Sequence, residues 1–236
     1  MKKAKQLFGT KIRASDGDIG HIEDLFFDDY AWTVRYLVVD TGIWILGRKV
    51  LISPESVADT NGTVKLTLTR KQIRESPDVN TDKPVSRQME EELSRHYNWP
   101  IYWGRMGKAI AEDEGVQQEE SPPGGGDPNL RSAKEIIGYY LHALDGDMGY
   151  VHDILVDEQG WKIRYIEADS GEWLAGRKTL LSPWWLKEIQ WGRRCLCVDT
   201  NKKTVQQSPP YDPEKIPDRD YEHKLFTHYG KAAYWE

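Results

Sequence analysis

The chain has 236 residues, and its 32 lysines and arginines against 38 aspartates and glutamates give a net charge of −6. This length allows one large or two small domains, each able to bury a core. A mean hydropathy of −0.69, with no run of about 18 apolar residues, excludes an integral membrane protein that crosses by helices. Two cysteines and a near-neutral charge exclude a disulfide scaffold and a strongly basic nucleic-acid-binding protein. The basic N-terminus lacks an apolar signal core, so we expect a cytoplasmic protein.

The first hundred residues predict a run of short strands followed by one helix. Asp16-Gly17 is typical of a hairpin turn, and Gly47 permits a bend in the chain. Met89, Leu93, His96 and Tyr97 have the spacing of an amphipathic helix. The predicted elements in chain order are strands at Gly20–Asp28, Val34–Val39, Lys49–Ile52 and Val64–Leu68, then a helix over Val85–Tyr97. Short strands with frequent turns favour a small antiparallel barrel, since a barrel leaves no exposed sheet edge.

This set of elements occurs twice. Residues 9–54 align with residues 138–183 without a gap at an offset of 129, and 20 of the 46 positions are identical. Beyond Pro54 the offset becomes 132, which pairs His96-Tyr97 with His228-Tyr229 and Tyr102-Trp103 with Tyr234-Trp235. A repeat at such a period indicates a duplicated structural unit. The predicted fold class is therefore mainly β, with two tandem small antiparallel barrels, each followed by a short α-helix.

The predicted domains are 1–105 for the first repeat, 106–128 for a linker and 129–236 for the second repeat. The linker segment is acidic and rich in proline and glycine, which is typical of a flexible tether. It carries 1 basic and 6 acidic side chains, whereas the repeats carry 16 against 15 and 15 against 17. The net charge of the chain therefore lies mostly in the linker.

The duplicated segment resembles the PRC-barrel domain. The residues that carry this resemblance are GTKIRASDGDIGHIEDLFFDDYAWTVRYLVVDTGIWILGRKVLISP and its second copy. This domain is the small β-barrel of the cytoplasmic part of the photosynthetic reaction centre H subunit and of the C-terminal half of the ribosome maturation factor RimM. The resemblance implies a docking and assembly module, in a tandem arrangement. The second copy departs from the first where Val38-Val39 become Glu167-Ala168 and where His21 and Glu23 become Tyr150 and His152.

The candidate interaction surface combines repeated basic and aromatic residues with tryptophans specific to the second copy. Its residues are Trp44, Arg48, Trp173, Arg177, Trp184, Trp185 and Trp191. A basic pair beside an indole suits nucleic acid or an acidic protein surface. The near-neutral charge of the repeats favours a structural role for Gly47-Arg48-Lys49 and Gly176-Arg177-Lys178 instead. Their basic side chains would then pair with Asp40 or Asp169. The three clustered tryptophans fit either an interface or a local core.

Other polar motifs favour structure over chemistry. His21, Glu23 and Asp24, or His152 and Asp153, offer too few ligands for a metal site and favour an exposed strand face. His96 and His228 favour contact with helix carbonyls over general-base catalysis. We therefore expect no enzyme, no cofactor and no metal.

The function predicted from the sequence is a non-enzymatic protein-interaction or assembly module. Its partner is an unidentified protein, with self-association through barrel packing or a homodimer as one form. The alternative is an RNA or ribonucleoprotein-binding factor of the ribosome-maturation type, which the near-neutral charge disfavours.

Overall fold

The fold was derived from a computed structural model, which describes residues 1–45, 47–79, 85–102, 129–171 and 176–235. The linker 106–128 lies outside these residues, and the predicted domain boundaries stay a prediction. Within the described ranges, no helix combines the length and apolar composition needed to cross a membrane.

The described elements are short strands with a few helices. The elements up to Tyr97 are β1 (Lys2–Lys3), α1 (Ala4–Leu7), β2 (Lys11–Ala14), β3 (Gly17–Asp28), β4 (Thr33–Asp40), β5 (Lys49–Ile52), β6 (Val57–Asp59), β7 (Val64–Leu66), α2 (Arg70–Arg74) and α3 (Arg87–Tyr97). The later elements are β8 (Leu130–Ser132), α4 (Ala133–Ile136), β9 (Tyr140–Ala143), β10 (Gly146–Asp157), β11 (Lys162–Asp169), β12 (Lys178–Leu181), β13 (Leu186–Gln190), β14 (Cys195–Val198), α5 (Lys202–Gln206) and α6 (Arg219–Tyr229). The mainly β class and both predicted C-terminal helices are confirmed.

The chain forms two compact units that do not follow the order of the sequence. The first unit contains Phe8–Tyr30 and Val34–Arg131, and the second contains Met1–Leu7, Ala31–Thr33 and Ser132–Glu236. The N-terminal strand and helix therefore complete the unit of the second repeat.

Each unit has a mixed sheet. In the first unit the strand order is β5-β4-β3-β2-β7-β6, and in the second it is β12-β11-β10-β9-β14-β13. The β2/β7 and β9/β14 ladders are parallel, so the prediction of purely antiparallel sheets is wrong. The cause is the short hairpin that precedes each ladder. Its second strand, β7 or β14, runs in the same direction as β2 or β9, beside which it lies.

The described ladders do not close either sheet. The end strands β5 and β6 follow one another through the 3₁₀ turn Pro54–Ser56, and β12 and β13 through Pro183–Trp185. Proline has no amide hydrogen to donate to a ladder, so Ser-Pro makes a corner. The ladders therefore do not show the closed barrels that the sequence predicted.

Gly20 and Gly149 have a physical reason to recur. A Cβ at Gly20 would lie 1.9 Å from the carbonyl oxygen of Asp40, and one at Gly149 would lie 2.0 Å from that of Asp169. Only glycine allows the long β3 and β10 strands to pass so close to the neighbouring backbone.

In the second unit a buried carboxylate fixes α6 against the sheet. Glu222 is 2% exposed, and its Oε1 accepts hydrogen bonds from the hydroxyls of Tyr165 on β11 and Tyr234, both at 2.8 Å. Its Oε2 lies 3.0 Å from Arg219 Nη1. One side chain thus holds helix, sheet and the segment after the helix together.

The first unit repeats this arrangement. Glu90 on α3 is fully buried, and its Oε2 accepts from Tyr36 on β4 at 3.0 Å and from Tyr102 at 2.6 Å. The predicted amphipathic helices therefore pack on the sheet of their own unit.

Glu222→Ala is expected to lower the free energy of unfolding by about 3 kcal/mol, because it leaves the buried hydroxyl of Tyr165 and the part-buried hydroxyl of Tyr234 without their carboxylate acceptor. Glu222→Gln keeps an acceptor oxygen and should lose less. Urea denaturation measures both, with Lys224→Ala on the exposed side of α6 as the matched control. Equal losses for alanine and glutamine would contradict this account.

Buried tyrosines should make both units sensitive to alkali. Burial raises the pKa of Tyr97 and of Tyr229 from 10 to about 12, and it also raises the pKa of Tyr36 and of Tyr165. The unfolded chain then loses protons above pH 10 that the folded chain keeps, so stability is present below pH 10 and is lost as the pH rises towards 12. Absorbance at 295 nm, followed with circular dichroism, should show late tyrosine ionisation that coincides with unfolding; ionisation of every tyrosine near pH 10 without unfolding would contradict it.

Candidate interaction surface

Arg48 acts as a clamp inside the first unit. Its guanidinium donates to the carbonyl oxygens of Arg74, Ser76 and Pro77 at 3.2, 2.5 and 2.6 Å and lies 3.0 Å from Asp78 Oδ1. These carbonyls lie at the end of α2 and just after it, where a cation is favourable.

Arg177 does the same in the second unit, where it donates to the carbonyl oxygens of Gln206, at 3.1 Å, and Ser208. The structural role of Gly-Arg-Lys is thus supported, but the expected acids were wrong. Asp40 accepts from the backbone of Gly42 at 2.7 Å, and Lys49 pairs with Glu23 at 3.0 Å.

The repeated histidines hold the same short helices. His96 Nε2 lies 2.8 Å from the carbonyl oxygen of Gln72 in α2, and His228 Nε2 lies 2.8 Å from that of Thr204 in α5. The predicted contact with helix carbonyls is present, although the helix is the neighbouring one. Arg48 and His96 therefore hold α2 together.

Trp44 lies on the surface of the first unit under two cations. It belongs to the 3₁₀ turn Gly42–Ile45 and is half-buried, with the guanidinium carbons of Arg70 and Arg74 at 4.7 and 5.6 Å from the ring centroid. Ile43 beside it is 98% exposed. We call Ile43, Trp44, Arg70 and Arg74 the basic corner. Its counterpart Trp173 lies outside the described residues.

Two copy-specific tryptophans fill equivalent core positions. In the first unit Trp99 stacks on Tyr97 at 4.2 Å and donates to Ser56 Oγ at 2.8 Å. In the second unit Trp185, which ends the turn Pro183–Trp185 as Ser56 ends the turn Pro54–Ser56, packs against Tyr229 at 4.5 Å. Trp185 is only 4% exposed and therefore does not belong to an interaction surface.

The other two clustered tryptophans are more accessible. Trp184 is 57% exposed, and Trp191 is half-buried with its ring 6.0 Å from that of Tyr139. Of the predicted surface residues that the structure describes in the second unit, Trp184 is the most exposed, whereas Trp185 is buried and Arg177 contacts the end of α5.

A buried ionic cluster in the second unit was missed in the sequence. Glu167 is fully buried, and its carboxylate lies 2.5 Å from Lys3 Nζ, 3.3 Å from Lys178 Nζ and 2.8 Å from His152 Nδ1. Tyr211 donates to it at 3.2 Å. The signal in the sequence that could have revealed this cluster is Glu167 itself, a charged residue at the position of the apolar Val38 in the first repeat.

This cluster corrects the expectation of an exposed strand face. Asp153 is 1% exposed and accepts from the backbone of Ile154, and burial raises its pKa. Burial alone would raise the pKa of Glu167, but the hydrogen bond and charge of Lys3, with Lys178 and His152, hold it below its usual value. Within the described part of the chain, no three histidine, cysteine or acidic side chains are grouped to hold a metal ion.

A family model of the PRC-barrel domain matches residues 1–73 and 129–212, which is more than half of the chain. The chain belongs to the PRC-barrel domain family. No curated protein matched the chain. Both α3 and α6 lie outside the matched segments, so the buried carboxylates Glu90 and Glu222 belong to extensions that follow each PRC-barrel segment.

The hydrogen bonds of Arg48 to the carbonyl oxygens at the end of α2 predict that its guanidinium stabilises the fold. Arg48→Lys should lower the free energy of unfolding nearly as much as Arg48→Ala, by about 2 kcal/mol, because lysine lacks the planar fork that reaches several carbonyls. Guanidinium denaturation measures this, with the exposed Lys71→Ala as control. Unchanged stability in Arg48→Ala would indicate that Arg48 serves a ligand instead of α2.

Proposed function

We propose that this protein is a non-enzymatic protein-interaction or assembly module that binds an acidic partner protein through the basic corner of its first unit. Membership of the PRC-barrel family supports an interaction or assembly role. The particular surface rests on the geometry of the corner.

The observation that carries the proposal is an exposed apolar side chain beside uncompensated positive charge. Ile43 is 98% exposed, and Arg70 and Arg74 lie over Trp44. Among the described residues, neither guanidinium has an acidic side chain within ion-pair distance. Tryptophan and arginine are the residue types that contribute most to interface energies.

The chemistry of the corner indicates the partner. Two guanidinium groups over an indole, with no carboxylate within ion-pair distance among the described residues, suit the carboxylates of a partner. An adjacent isoleucine suits an apolar side chain. The matching partner is an acidic segment that also carries one apolar residue.

The second unit does not repeat the corner. Lys202 and Gln206 occupy the positions of Arg70 and Arg74, so one charge is lost and the other is no longer a guanidinium. The duplicated units therefore differ in their predicted binding, as expected when one copy keeps an interaction that the other lacks.

The non-enzymatic part of the proposal has a separate support. Polar residues that recur in both repeats are engaged in structure: Arg48 and His96 hold α2, and Glu90 accepts two tyrosine hydroxyls.

The test compares partner capture by the full chain and its variants after nuclease treatment. Ile43→Asp and Arg70→Glu should each weaken binding of the captured protein tenfold or more, since they place a carboxylate against an acidic partner. Quantitative mass spectrometry measures the capture, and titration of the purified partner gives the affinities.

Ile216→Asp in the second unit is the matched control, because Ile216 is 44% exposed and lies outside the corner. Equal loss in the control, or no loss in the corner variants, would contradict the proposed surface. Loss of every partner on nuclease treatment would favour RNA binding instead.

A further inference from the structure

The N-terminal segment is a strand that completes the second unit. β1 pairs antiparallel with β10 through Lys2 opposite Val156 and Lys3 opposite Leu155. Ala4 and Leu7 of α1 are buried. The backbone N–H of Lys5 donates to Asp153 Oδ1 at 3.3 Å.

Lys3 makes the charged contact of this segment. Its ammonium lies 2.5 Å from a carboxylate oxygen of Glu167, and the two side chains are 12% and 0% exposed. Breaking a buried ion pair by removing one partner is strongly destabilising, because the remaining charge stays buried without compensation. Lys2 adds a more exposed pair with Glu158 at 2.8 Å.

The first unit receives the equivalent strand without this charge pair. β8, of which Leu130 and Arg131 belong to that unit, pairs with β3. In the alignment of the repeats, Ser132 stands at the position of Lys3 and Val38 at that of Glu167. A lysine in one first strand and a serine in the other thus accompany a glutamate in one receiving sheet and a valine in the other.

We propose that the edge of β10 beside Glu167 is a strand-acceptor site that selects an extended segment with lysine at the position of Lys3, and that its occupant is Met1–Leu7 of this chain. The backbone ladder supplies sequence-independent affinity, as in strand addition generally. Glu167 supplies selectivity, because a segment with serine at this position leaves the buried carboxylate without its closest cation.

Three side chains of the second unit orient the carboxylate of Glu167. Lys178 and His152 contact Glu167 from the sheet, and Tyr211 donates to it. The carboxylate is therefore oriented by its own unit, and Lys3 is the contact that the incoming strand brings.

The first test is a double-mutant cycle in the full chain. Lys3→Ser and Glu167→Val each introduce the residue of the other repeat and should lower the midpoint of thermal unfolding by about 5 °C or more. The double variant should lose clearly less than the sum of the two, because neither charge of the Lys3–Glu167 pair is then left buried without the other. Additive losses would overturn the proposal.

The second test measures selectivity with peptides. Peptides of residues 1–8, the same peptide with Lys3→Ser, and residues 130–137 are added to the full chain carrying Lys3→Glu, whose own first strand repels Glu167. The peptide of residues 1–8 should bind at least tenfold more tightly than the other two by fluorescence anisotropy, and Glu167→Val added to that chain should abolish the difference.

Equal binding of the peptides, or no binding to a chain that circular dichroism shows to be folded, would overturn the selectivity. If Lys3→Glu prevents folding, the peptides are added during refolding. Recovery of folded protein only with residues 1–8 then supports the site, and equal or no recovery overturns it.

Discussion

A carboxylate buried at the junction of helix and sheet is the constraint on which both units depend. Glu90 and Glu222 each accept two tyrosine hydroxyls. Such an acceptor is costly to bury and costly to lose, since the hydroxyls of Tyr36 and Tyr165 that donate to it are themselves buried. It therefore fixes the helix in one position, and with the helix comes the histidine that holds the preceding short helix. The recurrence of the helix histidine and of the tyrosine after the helix in both repeats follows from this geometry.

Because the repeated polar residues are used in this way, differences between the copies carry most of the information about binding. The first unit keeps two arginines over Trp44 where the second has Lys202 and Gln206. The second unit has Glu167 where the first has Val38. The first difference lies on the surface and underlies the proposed partner site, and the second is buried and underlies the proposed selection of the first strand.

The mainly β class, the strands and the terminal helices could be predicted from the sequence alone, because alternation, helical spacing and turn residues are local signals. The place of Met1–Leu7 in the second unit was not predictable, since pairing of β1 with β10 joins residues about 150 positions apart. The roles of Arg48 and His96 were only partly predictable: a cation near helix carbonyls was expected, but which carbonyls depends on tertiary packing. Trp99 and Trp185 show the same limit, since equivalent core space is filled from different positions.

The most direct test of the central claim, that the first unit carries the binding surface, is amide hydrogen exchange of the full chain with and without its captured partner. The account predicts slower exchange in Gly42–Ile45 and Arg70–Arg74 when the partner is bound, with no change in Lys202–Gln206. Protection confined to the second unit, or no protection of the corner in a saturated complex, would contradict it.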